Sequence, residues 1–327
     1  MKISICVPIY GVEKYIRRCA ISLFEQTYDN IEYVFVNDCS PDNSIYVLTE
    51  TLKNYPYRQE QVKIVEQQRN RGLACARNKA LESSTGDFVL HVDSDDYLEK
   101  NTVEVLCRIL HNNDVDILSY GLFIEHRNYT KVIKKPEGLD KKRIIIGLLD
   151  GSFFHSICGN LIRRSLYTDN AVKAIEGLNM AEDYQVIPRL AYWANKIAVV
   201  NIPLYHYDYT NEKSYMHVFS VKSAEQAWQV SDFLHSWFKD KDYIFQRAIS
   251  HADLERIINN IMASAVCKNY GYFLRSRKRL EQFPRQQYKD VVFFRRIILY
   301  FSSLTFIRYY VSFSRMLKHF ILFFSSL

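Results

Sequence analysis

The sequence predicts an α/β fold, with a mainly parallel central sheet flanked by helices and an α-helical C-terminal region after it. Three observations carry that prediction. Residues 3–9, 31–36, 62–66 and 88–92 are short apolar runs rich in Ile and Val, as in strands buried on both faces. The first three each lead through a polar loop into a segment with helical spacing. Strands that alternate with helices require right-handed crossovers in a parallel sheet. From Val221 onward the spacing is helical.

The first run ends at Pro8-Ile9-Tyr10-Gly11, a strand running into a loop. A helix is expected over 13–27, with Ile16, Ala20, Leu23 and Phe24 on one face. The second strand ends in Asn37-Asp38-Cys39-Ser40-Pro41-Asp42-Asn43-Ser44, dense in turn formers, and a helix follows over 44–54. After the third strand the basic loop Gln68-Arg69-Asn70-Arg71-Gly72 feeds a helix that reaches Ser83. The turn Thr85-Gly86-Asp87 opens the fourth strand. Residues 102–110 read as a helix, 115–120 as a strand, and 121–142 as a variable segment ending in a surface loop. Another helix begins at Ile144. Glu182 and Asp183 open an amphipathic helix with Val186, Ile187, Leu190 and Ala191 at its apolar positions. Residues 198–202 read as a strand, 203–209 as an alternating aromatic segment, and 211–217 as a loop able to close over a ligand. Two helices are expected over 221–238 and 247–275.

The 327 residues suffice for one large domain or two, and 48% hydrophobic content allows a sizeable core. A net charge of +7 suits acidic partners: phosphorylated ligands, anionic lipid or nucleic acid. The basic residues form no recognisable nucleic-acid module, which argues against the last. Seven scattered Cys with no C-x-x-C pair argue against a disulfide framework or a zinc site and point to a reducing cytosol. The N-terminal stretch is too short in apolar length for a signal peptide.

The densest chemistry follows the fourth strand. Asp93, Asp95 and Asp96 crowd the end of a buried run, where like charges repel. A hard dication such as Mg²⁺ or Mn²⁺ relieves that repulsion and takes oxygen ligands. Open α/β sheets bind ligands at this edge. The plain alternative is a solvated acidic turn capping a helix at Tyr97-Leu98-Glu99. Asp38 could accept an N–H from a nucleobase, and Arg71 and Arg77 could bind phosphate beside the positive end of the helix starting near Leu73. Their plain readings are a turn residue and solvated charges. Glu182 or Asp183 would serve as a general base across the cleft, unless both only complement a helix dipole. His206 is a candidate metal or diphosphate contact, although a His among tyrosines is more often a packed, hydrogen-bonded side chain.

Five motifs in order resemble the family-two glycosyltransferases, nucleotide-sugar enzymes with the Rossmann-like glycosyltransferase-A fold. They are Val7-Pro8-Ile9-Tyr10 with Glu13-Lys14-Tyr15-Ile16; Val36 to Ser44; Asn70-Arg71-Gly72-Leu73-Ala74 with Ala76-Arg77-Asn78; Gly86-Asp87 with Asp93-Ser94-Asp95-Asp96; and Glu182-Asp183. The resemblance covers about the first 215 residues. It implies a catalytic domain over 1–218, with a nucleotide-binding half (1–110) and an acceptor half (111–218); the helical spacing beyond it marks a separate region over 219–327. It further implies that Pro8, Tyr10 and Glu13 belong to the donor pocket, with Asp38 on a uracil base. Asp93 and Ser94 would lie near the ribose or metal, and Asp95 would bind the Mn²⁺ or Mg²⁺ that bridges the diphosphate. Asp183, with Glu182 beside it, would deprotonate the acceptor hydroxyl in an inverting displacement.

The expected reaction moves a sugar from a nucleotide-diphosphate donor, UDP-linked, to a glycan or lipid-linked acceptor in surface polysaccharide synthesis. A sugar-phosphate nucleotidyltransferase is the alternative, but the loop Tyr10-Gly11-Val12-Glu13 offers one Gly and an acid where triphosphate needs a basic, Gly-rich loop. A non-catalytic peripheral membrane protein on the same sheet is a second alternative. Acidic residues stop after Asp290, and residues 285–327 are basic and aromatic, with apolar runs too often interrupted to span a bilayer. An interfacial contact at the cytoplasmic membrane face is therefore expected, with packing on the protein or on another subunit of a homo-oligomer as the alternative.

Overall fold

β1 (Ile3–Ile9), β2 (Ile31–Asn37), β3 (Val62–Glu66) and β4 (Phe88–His91) pair in parallel in the order β3-β2-β1-β4. The computed structural model describes residues 1–300 and 307, apart from 112, 154–155, 212–219 and 292. The expected closing loop over 211–217 therefore lies outside the described residues except for Asn211, as does most of the C-terminal tail. The chain divides into two compact units, Met1–Val218 and Phe219–Leu327.

Every residue of β1 is buried, so the strand reads as a continuous apolar run because helices cover both faces of the sheet. The crossovers are α1 (Ile16–Phe24), α2 (Ser44–Leu52) and α3 (Leu73–Ser83). One buried acid ties the sheet together at the opposite edge from the loops after β1, β2 and β3. Glu32 accepts from Ser4 Oγ at 2.5 Å, from Lys2 Nζ at 2.9 Å and from the Thr85 and Gly86 N–H groups. Gly86 is required there, since a Cβ would lie 2.5 Å from Ser4 Oγ.

The second half of the sheet is mixed. β5 (Tyr97–Leu98), α4 (Thr102–His111), β6 (Ile117–Glu125), β7 (Thr130–Ile133), α5 (Lys141–Asp150), β8 (Asn160–Arg163), α6 (Arg164–Asp169), α7 (Glu182–Trp193) and β9 (Ile197–Asp208) complete the first unit. β8 runs antiparallel to both β4 and β6, and β9 runs parallel to β6. The residues after Asp96 form the short strand β5 against β9, where the plain reading of the acidic turn had a helix. The variable segment 121–142 contains the rest of β6 and all of β7. The strand expected to stop at Ile202 and the aromatic segment after it are one strand. Its register against β6 shifts near Pro203, which cannot donate to the ladder.

The second unit is helical: α8 (Val221–Trp237), α9 (Tyr243–Val266), α10 (Tyr270–Leu280) and α11 (Phe293–Tyr300). Trp228, Ile257, Ile258, Ile261, Phe273 and Leu280 share its core. The helix expected over 247–275 breaks in two because Lys268 takes a left-handed φ of +57° and Asn269 caps α10 by accepting from Tyr272 N at 3.1 Å. Buried Asp253 accepts from Ser231, Arg256 and His235, the last at 3.0 Å. The hydrogen bond to Asp253 raises the His235 pKa above the ordinary value. A raised base stabilises the fold fully below its unfolded pKa and loses that contribution as pH rises through the folded one. The denaturation midpoint should therefore fall more steeply from about pH 6 to about pH 8 in the wild type than in His235→Gln. Parallel slopes in urea titrations would remove His235 from this role.

Candidate functional site

The loops after β1, β2, β3 and β4 gather at one sheet edge, and α7 brings its first turn to the β4 end. The joint between them is Arg77. The Gln67-to-Gly72 loop hands the chain to α3, whose second turn carries Arg77 inward, where it is buried. Its Nη1 donates to Asp183 Oδ1 at 2.8 Å and its Nη2 to Asp93 Oδ1 at 2.9 Å, with Glu182 Oε1 at 3.3 Å. The neighbouring Asn78 exchanges two hydrogen bonds with the Ala174 backbone, at 2.8 and 3.0 Å, and so clamps the approach to α7 onto α3.

One guanidinium faces more acid than it can neutralise. Burial pushes the Asp93 carboxyl up to about 6 against the pull of Arg77, with the charges of Asp95 and Asp183 adding to the rise. Burial, then the charge of Asp183, pushes Glu182 well above the carboxylate range. Asp96 is raised in the same direction by burial, then by Asp95 and Asp93. Its carboxylate is buried under β9, accepting from Tyr205 Oη at 2.5 Å and Asp208 N at 2.8 Å. Tyr205 Oη in turn accepts from Asp93 N at 3.1 Å. Arg18 closes the far side: its Nη2 donates to Asp95 O at 2.7 Å and Asp208 Oδ2 at 2.5 Å. The Asp95 side chain is half-buried and Oδ2 accepts from Asn211 at 2.8 Å. The arrangement thus fixes the loop by backbone and neighbouring groups.

Residues 4–169 match the family model described as glycosyl transferase family 2. The chain belongs to that family. Among relatives of this family 2 chain, EpsH of Bacillus subtilis is 32% identical over 211 residues, 63% of this chain and 60% of EpsH. Glycosyltransferase GlyG of Streptococcus pneumoniae is 24% identical over 316 residues, covering 92% of this chain and 96% of GlyG. The crystal structure of Staphylococcus aureus TarS 1–349 in complex with UDP-GlcNAc superposes with a TM-score of 0.72 at 23% identity, covering 95% of this chain and 89% of that one. The family 2 sheet of this chain is thus of the glycosyltransferase-A type.

Several residues of the family 2 motifs have partners that the sequence did not indicate. Asp38 is buried: Oδ1 accepts from Gln67 Nε2 and Arg71 N, both at 2.8 Å, and Oδ2 from Gly72 N at 2.7 Å, so it clamps the basic loop. Gly72 holds φ +86° and ψ 169°, a region open essentially to glycine alone, and a Cβ there would meet Asn179 Nδ2 at 2.1 Å. At the α3 N-terminus, Asn179 Oδ1 accepts from Ala74 N at 3.1 Å and so caps one of the first-turn N–H groups. Arg71 pairs with Glu176 through Nη2 at a half-exposed position, whereas Arg77 is buried and committed to three carboxylates.

His206 is corrected from metal or diphosphate contact to a packed side chain. Both ring nitrogens face carboxylates, Glu125 at 2.7 Å and Glu99 at 2.9 Å, and the ring lies between Tyr97 and Phe123 at 4.2 and 4.5 Å. Both ring nitrogens are thus engaged within this packed cluster. Pro8 is buried within β1, Ser94 is buried, and Tyr10 stands 50% exposed at the β1 exit. Glu13 accepts from the Asn43 backbone and side chain at 3.1 and 3.3 Å, joining the loops after β1 and β2. Arg18, Tyr205 and Asp208 were missed by sequence reasoning. The alternating polar positions of 205–208 were the available signal. A cleft of about 570 Å³ lies along α3, walled by Gln67, Arg69, Arg71, Cys75 and Glu176, and includes none of Asp93, Glu182 and Asp183.

Proposed function

We propose that the protein transfers a sugar from a UDP-linked donor to a hydroxyl of a cell-surface polymer, inverting the anomeric centre with Asp183 as general base. The observation that carries this reading is the convergence of Asp93, Glu182 and Asp183 on Arg77 at the carboxyl end of β4. The donor and acceptor classes are supported by the name of one relative, the S. aureus poly(ribitol-phosphate) β-N-acetylglucosaminyltransferase TarS, 30% identical over 223 residues and 37% covered. The diphosphate end of the donor would face Asp93 and Asp95, and the nucleoside end would lie by Tyr10 and the loop after β2. The tail over 285–327 would bring the protein to a membrane that carries the acceptor.

The donor set suits a dication of the kind this fold family uses. Among the described residues no three His, Cys, Asp or Glu side chains are grouped so as to hold a metal ion by themselves. Mg²⁺ and Mn²⁺ sites on diphosphates commonly take one or two carboxylates, with phosphate and water for the rest. Asp95 with Asp93 would hold the ion, which when bound stabilises charge on the departing diphosphate. The protein's own groups do the remaining work. Arg77 holds Asp183 in place, and Asp183 takes the acceptor's proton.

UDP should bind at least about tenfold more tightly with Mn²⁺ than with EDTA in isothermal titration, and UDP-sugar hydrolysis should follow the metal. Equal affinity in both buffers, with no hydrolysis of any common UDP-sugar, would reject this function.

A further inference from the structure

The solvent face of α10 matches a different kind of surface from the sheet edge. Tyr272, Phe273, Ser276 and Leu280 turn into the core of the second unit. The remaining face carries Tyr270 at 57% exposure and Leu274 at 45%, one turn apart, and Val266 at 41% exposure ends α9 just before it. Exposed Arg277 and Lys278 continue the Tyr270–Leu274 stripe, and exposed Lys268 sits in the turn. Residues 266–281 hold Lys268, Arg275, Arg277, Lys278 and Arg279 against Glu281 alone. Arg275 is paired with Glu225, and Arg279 lies over the Trp228 ring at 4.1 Å. Among the described residues, no ion pair within 4.0 Å engages Lys268, Arg277 or Lys278.

A helix with one buried face usually spends its other face on charge alone. Here three large apolar side chains stand in water beside three cations. From this we infer that the α10 face is a docking surface for an anionic lipid bilayer, with Tyr270, Leu274 and Val266 entering the headgroup layer and Lys268, Arg277 and Lys278 meeting its negative charge. The apolar residues decide for a bilayer over a soluble polyanion, because only a bilayer rewards their insertion. No helix among the described residues is long and apolar enough to cross a membrane, so this contact is interfacial. It rests on α10 and the end of α9, not on the donor chemistry, and adds to any contact made by the tail over 285–327.

The test is co-sedimentation of the full chain with vesicles of phosphatidylcholine, alone or mixed with phosphatidylglycerol, with UDP-sugar hydrolysis measured on the same samples. The wild type should bind the mixed vesicles and not the neutral ones. The double variant Arg277→Glu/Lys278→Glu should bind about tenfold or more weakly. Leu274→Asp should weaken binding too, although it leaves every cation in place. Arg143→Glu, at an exposed site in the first unit, should bind as the wild type does. Hydrolysis should be unchanged in all of these, so failure of the lipid contact would not be mistaken for failure of the proposed reaction. The inference is overturned by no wild-type binding to anionic vesicles, by undiminished binding of the double variant, or by equal capture on dextran sulfate that ignores Leu274→Asp. A change confined to oligomeric state in light scattering would assign the face to a second copy and overturn it equally.

Discussion

Asp183→Asn is expected to lower sugar transfer by about 10²–10⁴-fold at saturating donor while leaving UDP affinity intact, the range over which a positioned general base contributes. The substitution is gentle in shape. Arg77 Nη1 donates to Asp183 Oδ1 at 2.8 Å, and an amide oxygen can accept that bond. What disappears is the carboxylate that accepts a proton. Glu182 is poorly placed to take over: it is buried with Oε1 3.3 Å from Arg77 Nη2, and burial raises its pKa, which disfavours the carboxylate a base needs. Glu182→Gln should accordingly stay within about tenfold of wild-type turnover. UDP release in a coupled assay, set beside UDP titration, separates the chemical step from binding. Wild-type turnover by Asp183→Asn, or a deeper loss in Glu182→Gln than in Asp183→Asn, would move the base elsewhere.

The parallel half of the sheet was legible because its strands are buried on both faces and read as unbroken apolar runs. β1 and β2 are instances. The second half hid itself for a physical reason. β7 is exposed along most of its length, and β5 is two residues long, so neither produces a run. The division of labour within motifs was also hidden. Gly86-Asp87 reads as part of a catalytic signature, yet Gly86 N serves Ser4 Oγ at 2.8 Å and Asp87 Oδ2 accepts from Lys2 N at 2.7 Å. Asp38 likewise answers the backbone of the basic loop. Spacing tells which residues share an edge. It cannot tell which of them face the ligand and which face one another, because that depends on side-chain partners 29 to 112 positions away, such as Gln67 for Asp38 and Tyr205 for Asp93.

Arg77→Met should produce the largest loss of stability of any single change at the site, about 3–5 kcal/mol, the range for stripping one partner from a buried ion pair. Methionine fills much of the same volume, so the cost is electrostatic. Asp93, Glu182 and Asp183 would face each other with the shared cation gone. The melting temperature should drop by about 10 °C or more in a domain of this size. The pH dependence gives the cause away. Burial already holds Asp93 at about 6 with Arg77 present, and loss of the cation raises it further. An acid whose folded pKa lies above its unfolded value stabilises the fold below the unfolded value and forfeits that contribution as pH rises through the folded one. The gap between variant and wild type should therefore be narrow near pH 5 and widen toward about pH 8. A constant gap would mean that packing, not charge, is what Arg77 supplies. Arg77→Lys sharpens the same point. It restores one positive charge but not the planar fork that reaches Asp93 and Asp183 from separate nitrogens, so it should recover part of the stability and little of the turnover. Full activity in that variant would show that a point charge suffices and that Arg77 does not position Asp183.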